Sequence, residues 1–123
     1  MAFLFQNWPV YKDSRELRKK INGLAKTFPV EEKYLLTDQV RRAVLSVVLQ
    51  IAEGSNRKTE KDKTVFINRA LTSLNEVLAC CDCALDDAYI RQEHYKALHE
   101  KIENLAKQLR GLENHLKKSI NQS

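Results

Sequence analysis

The run from Leu36 to Gly54 is the least polar stretch of the chain, yet two adjacent arginines sit near its centre. Wound at 100° per residue, it lines up Leu36, Val40, Ala43, Val47 and Ile51 along one strip. Leu45, Val48 and Ala52 form a second strip about a third of a turn away, with Arg41 among them. Gln39, Arg42, Ser46, Gln50 and Glu53 are left as a narrow polar face. A helix apolar around more than half its circumference is buried on more than one side. In a chain of 123 residues the second side is a candidate for contact with another subunit. The run leads into Ser55–Lys63, which is polar and basic.

The rest of the chain repeats the helical period. Pro9 suits a first helical turn. After it, Val10, Ser14, Leu17, Ile21, Leu24 and Phe28 recur at spacings of four and three until Phe28-Pro29 stops them. Lys12, Arg15, Lys19 and Lys26 occupy the opposite face, either as a solvated exterior or as a ridge facing phosphates. Gly54 reads as a helix C-cap and Thr59 as the N-cap of the next helix. That helix carries Ile67, Leu71, Leu74, Leu78, Cys81 and Leu85, and the acids Asp86-Asp87 mark its turning point. A last stripe runs Tyr95, Leu98, Ile102, Leu105, Leu109, Leu112 and Leu116. Gly111 interrupts it at a cost of roughly 1 kcal/mol relative to Ala, which a close helix approach would explain.

With only 3 Gly and 2 Pro, long loops are not expected. The spacing predicts an all-α fold, an antiparallel up-down-up-down four-helix bundle spanning residues 1–123 as one domain. Its helices are expected near 9–27, 37–53, 60–86 and 92–118. That topology gathers Lys12, Arg57, Lys58, Lys61, Lys63, Lys117 and Lys118 at one pole. Glu31, Glu32, Asp86, Asp87 and Glu93 gather at the other, diluted by Lys33 and Arg91. A net charge of +5 permits a polyanionic partner.

No membrane span is expected, and MAFLFQNWPVY lacks the basic and apolar regions of a secretory leader. Cys80, Cys81 and Cys83 crowd onto one helix, a poor disulfide framework, so a reducing cytoplasmic setting is expected. They offer no zinc site, because their side chains diverge: Cys81 toward the core, Cys80 to its flank, Cys83 outward. His94, His99 and His115 are not spaced for one metal. No phosphate loop or dinucleotide fingerprint is present, and neither cofactor nor metal is expected. No nucleophile–base pair is selected; Cys83 or Glu53 would need a cleft and a substrate. Arginines 41 and 42 require acidic partners wherever they are buried, and Glu53 of the same or a neighbouring chain is a candidate. Trp8 and Tyr11 either stack on bases or staple the first helix to the core.

Several segments in register resemble the four-helix-bundle family of 23S rRNA intervening-sequence proteins. They are Trp8; Phe28-Pro29 with Glu32 and Leu36-Thr37; Gln39-Val40-Arg41-Arg42-Ala43; Ser46; Ile51-Ala52-Glu53-Gly54; and Phe66, Ala70 and Ser73-Leu74 with Glu76. The likeness covers about residues 5 to 118. Gln50 stands where the family usually has asparagine, and Ser46-Val47 where it has Ser-Ile. The resemblance implies an antiparallel bundle assembling as a ring-like homopentamer, and a link to insertions in large-subunit rRNA genes. A similar bundle, the accessory variability determinant of diversity-generating retroelements, is a basic pentamer that binds nucleic acid and a reverse transcriptase.

The function expected is a non-enzymatic, oligomeric module binding RNA or DNA through phosphates. Its contacts are Lys12, Arg15, Lys19, Arg57, Lys58, Lys61 and Lys63, with Arg41, Arg42, Leu45, Val48, Ala52 and Glu53 as interface or structural positions. The alternative is a homo-oligomeric scaffold docking a nucleic-acid-processing protein such as a reverse transcriptase.

Overall fold

The computed structural model describes residues 3–122 of the expected 1–123 domain. Four helices account for most of it: α1 Pro9–Ala25, α2 Leu36–Ser55, α3 Glu60–Asp86 and α4 Gln92–Gln122. Short 3-10 turns at Leu4–Asn7 and Val30–Glu32 precede α1 and α2. Each helix packs on its neighbours in the cycle α1–α2–α3–α4–α1. Register proves the antiparallel order. Ser46 of α2 bonds Ser73 of α3 while Gln39 bonds Glu76, and Gln108 of α4 donates to Asp13 of α1 while Lys101 pairs with Glu16.

The four apolar stripes meet on the bundle axis. Ile21, Val47, Ile51, Leu74, Leu105 and Leu109 are sealed from solvent, each such side chain contributing about 1.5–3 kcal/mol on burial. Ser14 is sealed with them and spends its hydroxyl on the Tyr11 carbonyl at 2.7 Å. Pro9 opens α1 as expected, and Thr59 Oγ1 caps α3 by accepting from the Asp62 amide at 3.1 Å. Trp8 and Tyr11 pack against the core, with Phe5 edge-on to Tyr11 at 4.9 Å. They staple the helix end.

Two glycine expectations are overturned. Gly54 does not cap α2; it lies inside the helix, which runs to Ser55. Its reason is packing, because a Cβ there would stand 2.8 Å from Phe66 Cβ. Gly111 marks no close approach, since a Cβ there meets nothing within 4 Å. The α3–α4 turn is built instead on Ala88, held left-handed at φ 61°. The Tyr89 amide reaches back to Ala84 O and the Ala88 amide to Leu85 O, closing α3 with a Schellman turn.

Candidate nucleic-acid interface

The residues of the Gln39–Gly54 segment divide by direction. Gln39, Ser46 and Gly54 face α3, where they meet Glu76, Ser73 and Phe66. This set is the seam that locks α2 to α3, so its residue types are dictated by helix pairing. Arg41, Arg42 and Leu45 leave on the side toward α1.

There they line a furrow. One hollow of about 240 Å³ is walled by Arg18, Asn22, Asp38, Arg41, Arg42 and Leu45. A second, of about 550 Å³, is walled by Lys12, Arg15, Glu16, Arg18, Lys19, Leu45 and Val48. They share Arg18 and Leu45 and so run together along the α1–α2 seam. Six cations face two carboxylates, and both carboxylates are engaged. Asp38 accepts from Arg42 Nε at 2.9 Å, and Glu16 pairs with Lys101 of α4 at 3.7 Å. Arg15 also stands over the Tyr11 ring at 5.7 Å. Arg18 Nε and Asn22 Oδ1 are buried in the furrow wall without a hydrogen-bond partner in the chain. An anion seated there would satisfy the guanidinium, since an unpaired buried donor is costly.

The expected contacts Lys12, Arg15 and Lys19 thus come together, and Arg41 and Arg42 join them from α2. Arg18 and Asn22 were missed. Their spacing from Arg15, three and seven residues, was the available signal, marking the flank of α1 that turns toward α2. Arg57, Lys58, Lys61 and Lys63 do not enter the furrow. Arg57 and Lys58 lie in the α2–α3 turn and Lys61 and Lys63 in the first turn of α3; Arg57 and Arg69 stack on Phe66 at 4.3 and 4.9 Å, and Lys63 pairs with Glu60 at 3.6 Å.

Both arginines are exposed, so neither is a buried charge in need of a partner; Arg42 pairs with Asp38, and Glu53 is exposed and pairs with neither within the chain. Of the second apolar strip, Val48 is buried at the furrow wall, Ala52 is half-buried and Leu45 stays exposed. Leu49, one turn on, is exposed as well.

Nothing resembling a reaction centre gathers around the thiols. Burial, aided by Glu76, pushes the Cys80 thiol up to about 11, and burial, aided by Cys80, pushes Cys81 to about 12, leaving Cys83 as the exposed one. No cluster of His, Cys, Asp and Glu among the described residues could hold a metal ion. No described helix is long and apolar enough to cross a membrane.

The fold and the furrow define an all-α, antiparallel four-helix bundle with a cationic seam between its first two helices. Residues 6–111 match the 23S rRNA-intervening sequence protein family, and the chain belongs to that family. A crystal structure of similar fold is that of a protein of unknown function from the S23 ribosomal protein family, from Bacteroides thetaiotaomicron VPI-5482. It aligns with a TM-score of 0.77 at 24% identity, over 85% of this chain and 97% of that one. No curated protein matches the chain significantly.

Proposed function

We propose that this chain is a non-enzymatic, oligomeric module that holds RNA or DNA by its phosphates along the α1–α2 furrow. The observation that carries this reading is the convergence of Lys12, Arg15, Arg18, Lys19, Arg41 and Arg42 on one seam whose carboxylates are already paired. Arg57, Lys58, Lys61 and Lys63 form an outlying patch that extends the contact. The furrow offers charge without a base-reading motif, so it grips backbone and discriminates sequence little. Each phosphate neutralised adds about 0.7–0.9 to the slope of log affinity against log salt. Repeating the furrow in an assembly multiplies weak contacts into avidity.

Fluorescence anisotropy with single-stranded and duplex oligonucleotides between about 50 and 200 mM salt tests it. Arg15→Ala with Lys19→Ala should lower the slope by about two, while Lys96→Ala on exposed α4 should leave it unchanged. Affinity indifferent to salt, or a slope that ignores the furrow variants, would sink the reading.

Leu45 and Leu49, exposed one turn apart on α2, favour a second reading. In it the oligomer is a scaffold that docks a nucleic-acid-processing protein on this face. Leu49→Asp, which lies outside both hollows of the furrow, should then abolish partner capture while sparing any salt-sensitive binding of nucleic acid.

A further inference from the structure

Two surface features at the end of the bundle that holds the α1–α2 and α3–α4 connections lie outside the furrow. The first is a knob. Between α1 and α2 the chain presents Val30, Tyr34 and Leu35 to solvent at 78%, 80% and 69% exposure. Tyr34 and Leu35 rim a hollow with Leu36, Gln39, Cys83 and Asp87, which places the knob on the α2–α3 side of the bundle. Exposed Glu31 and Asp87 flank it, and Lys33 lies over the Tyr34 ring at 5.3 Å.

The second is a cleft of about 780 Å³ between the end of α1 and the start of α4. Its floor is Leu24, Ile90, Ala97 and Leu98, its rim Lys20, Arg91, His94 and Lys101. It contains no carboxylate, although Lys101 also reaches Glu16. Gly23 lines it, and nothing lies within 4 Å of a Cβ built there. The cleft is therefore apolar inside and cationic around the mouth, and the knob is apolar at its tip and mainly acidic at its base.

In the α1–α2–α3–α4 cycle the α1–α4 face and the α2–α3 face are opposite. Knob tip and cleft thus lie on different faces at one end of the bundle, bridged at the base by Tyr89, which lines the cleft and donates to Glu32 at 2.9 Å. A surface that meets a different surface of its own kind assembles head to tail, closing as a ring or extending as a filament. We infer that the Val30–Leu35 knob of one copy seats in the α1–α4 cleft of the next, joining copies head to tail at that end of the bundle. The inference rests on the oligomeric part of the reading above and supplies its contact.

Light scattering on the full chain and two variants tests it. Tyr34→Asp with Leu35→Asp spoils the knob at exposed positions; Gly23→Trp fills the cleft. Each variant alone should be monomeric with the helical circular dichroism of the parent. Mixed in equal amounts they should form a heterodimer, because the intact knob of the cleft variant meets the intact cleft of the knob variant. An oligomeric parent whose variants keep its mass, or a mixture that stays monomeric, overturns this contact and leaves the cleft to another occupant. A parent that is itself monomeric overturns the oligomeric reading with it.

Discussion

Substituting the three glycines one at a time by alanine separates packing from propensity. In an exposed helix interior, Gly→Ala gains up to about 1 kcal/mol. Gly23 and Gly111 have open space where a Cβ would go, so both substitutions should stabilise the chain by that order. Gly54 is different. Its Cβ would lie 2.8 Å from Phe66 Cβ, about 0.7 Å inside the separation at which carbon atoms rest. The obstructing atom is bonded directly to the α3 backbone, so no side-chain rotation relieves the contact; the α2–α3 seam must open. Overpacking of this kind costs about 2–3 kcal/mol, and the propensity gain offsets about 1 kcal/mol of it. The net is a loss of about 1–2 kcal/mol, which lowers the thermal midpoint by about 4 °C per kcal/mol in a domain of this size. Thermal and urea unfolding at one fixed protein concentration measure it, since assembly makes the midpoint concentration-dependent. A Gly54→Ala protein as stable as the parent, or more so, would refute the claim that the seam requires glycine there.

Three further outcomes follow from the same geometry. Ala88→Gly should raise the urea midpoint, because a left-handed alanine costs about 1–2 kcal/mol and the looser unfolded chain returns only about 0.4–1 kcal/mol; an unchanged or lower midpoint would contradict the strained turn. A thiol reagent should label Cys83 alone in the native protein, and Cys80 and Cys81 only on unfolding; rapid labelling of all three would contradict the burial that holds those two thiols protonated. Tyr89 and Tyr95 donate to Glu32 and Asp82, and these bonds push both phenols from 10.0 to about 12. Their contribution is complete below about pH 10 and is lost as pH rises toward 12, so Tyr89→Phe and Tyr95→Phe should flatten the alkaline fall in stability. The same pH dependence in parent and variants would count against it.

The periodicity carried most of the fold because it is local. Leu17, Ile21, Leu74, Leu105 and Leu109 announce themselves by spacing alone, and all are sealed in the structure. What spacing cannot encode is the register between helices. The apolar width of α2 was legible, but α1 decides which part becomes core. Packing buries Val44 and Val48 and strands Leu45 and Leu49 outside. Gly54 read as a cap because its reason, Phe66, is twelve residues away in sequence and meets it only through the α2–α3 pairing. The basic ridge of α1 was visible as Lys12, Arg15 and Lys19. Its junction with Arg41 and Arg42 was not, since only the antiparallel seating of α1 on α2 brings them into one furrow.

Assembly and binding then make compatible demands on one bundle. A square of four helices has four faces. The proposed contact consumes two opposite ones, α1–α4 and α2–α3, and only near one end. The cations it covers, Lys20, Arg91 and Lys101, are not those of the furrow. The α1–α2 face stays free, and head-to-tail closure would present it at the same radius in every copy, with its cations in a continuous band. A chain of net charge +5 gains little by binding a few phosphates alone. The proposed furrow, repeated around a closed ring, would track a polyanion from copy to copy, so the salt slope should steepen with the number of copies joined. The monomeric knob variant should bind the same oligonucleotide with a shallower slope than the assembled parent. Equal slopes would mean that assembly serves something other than nucleic-acid binding.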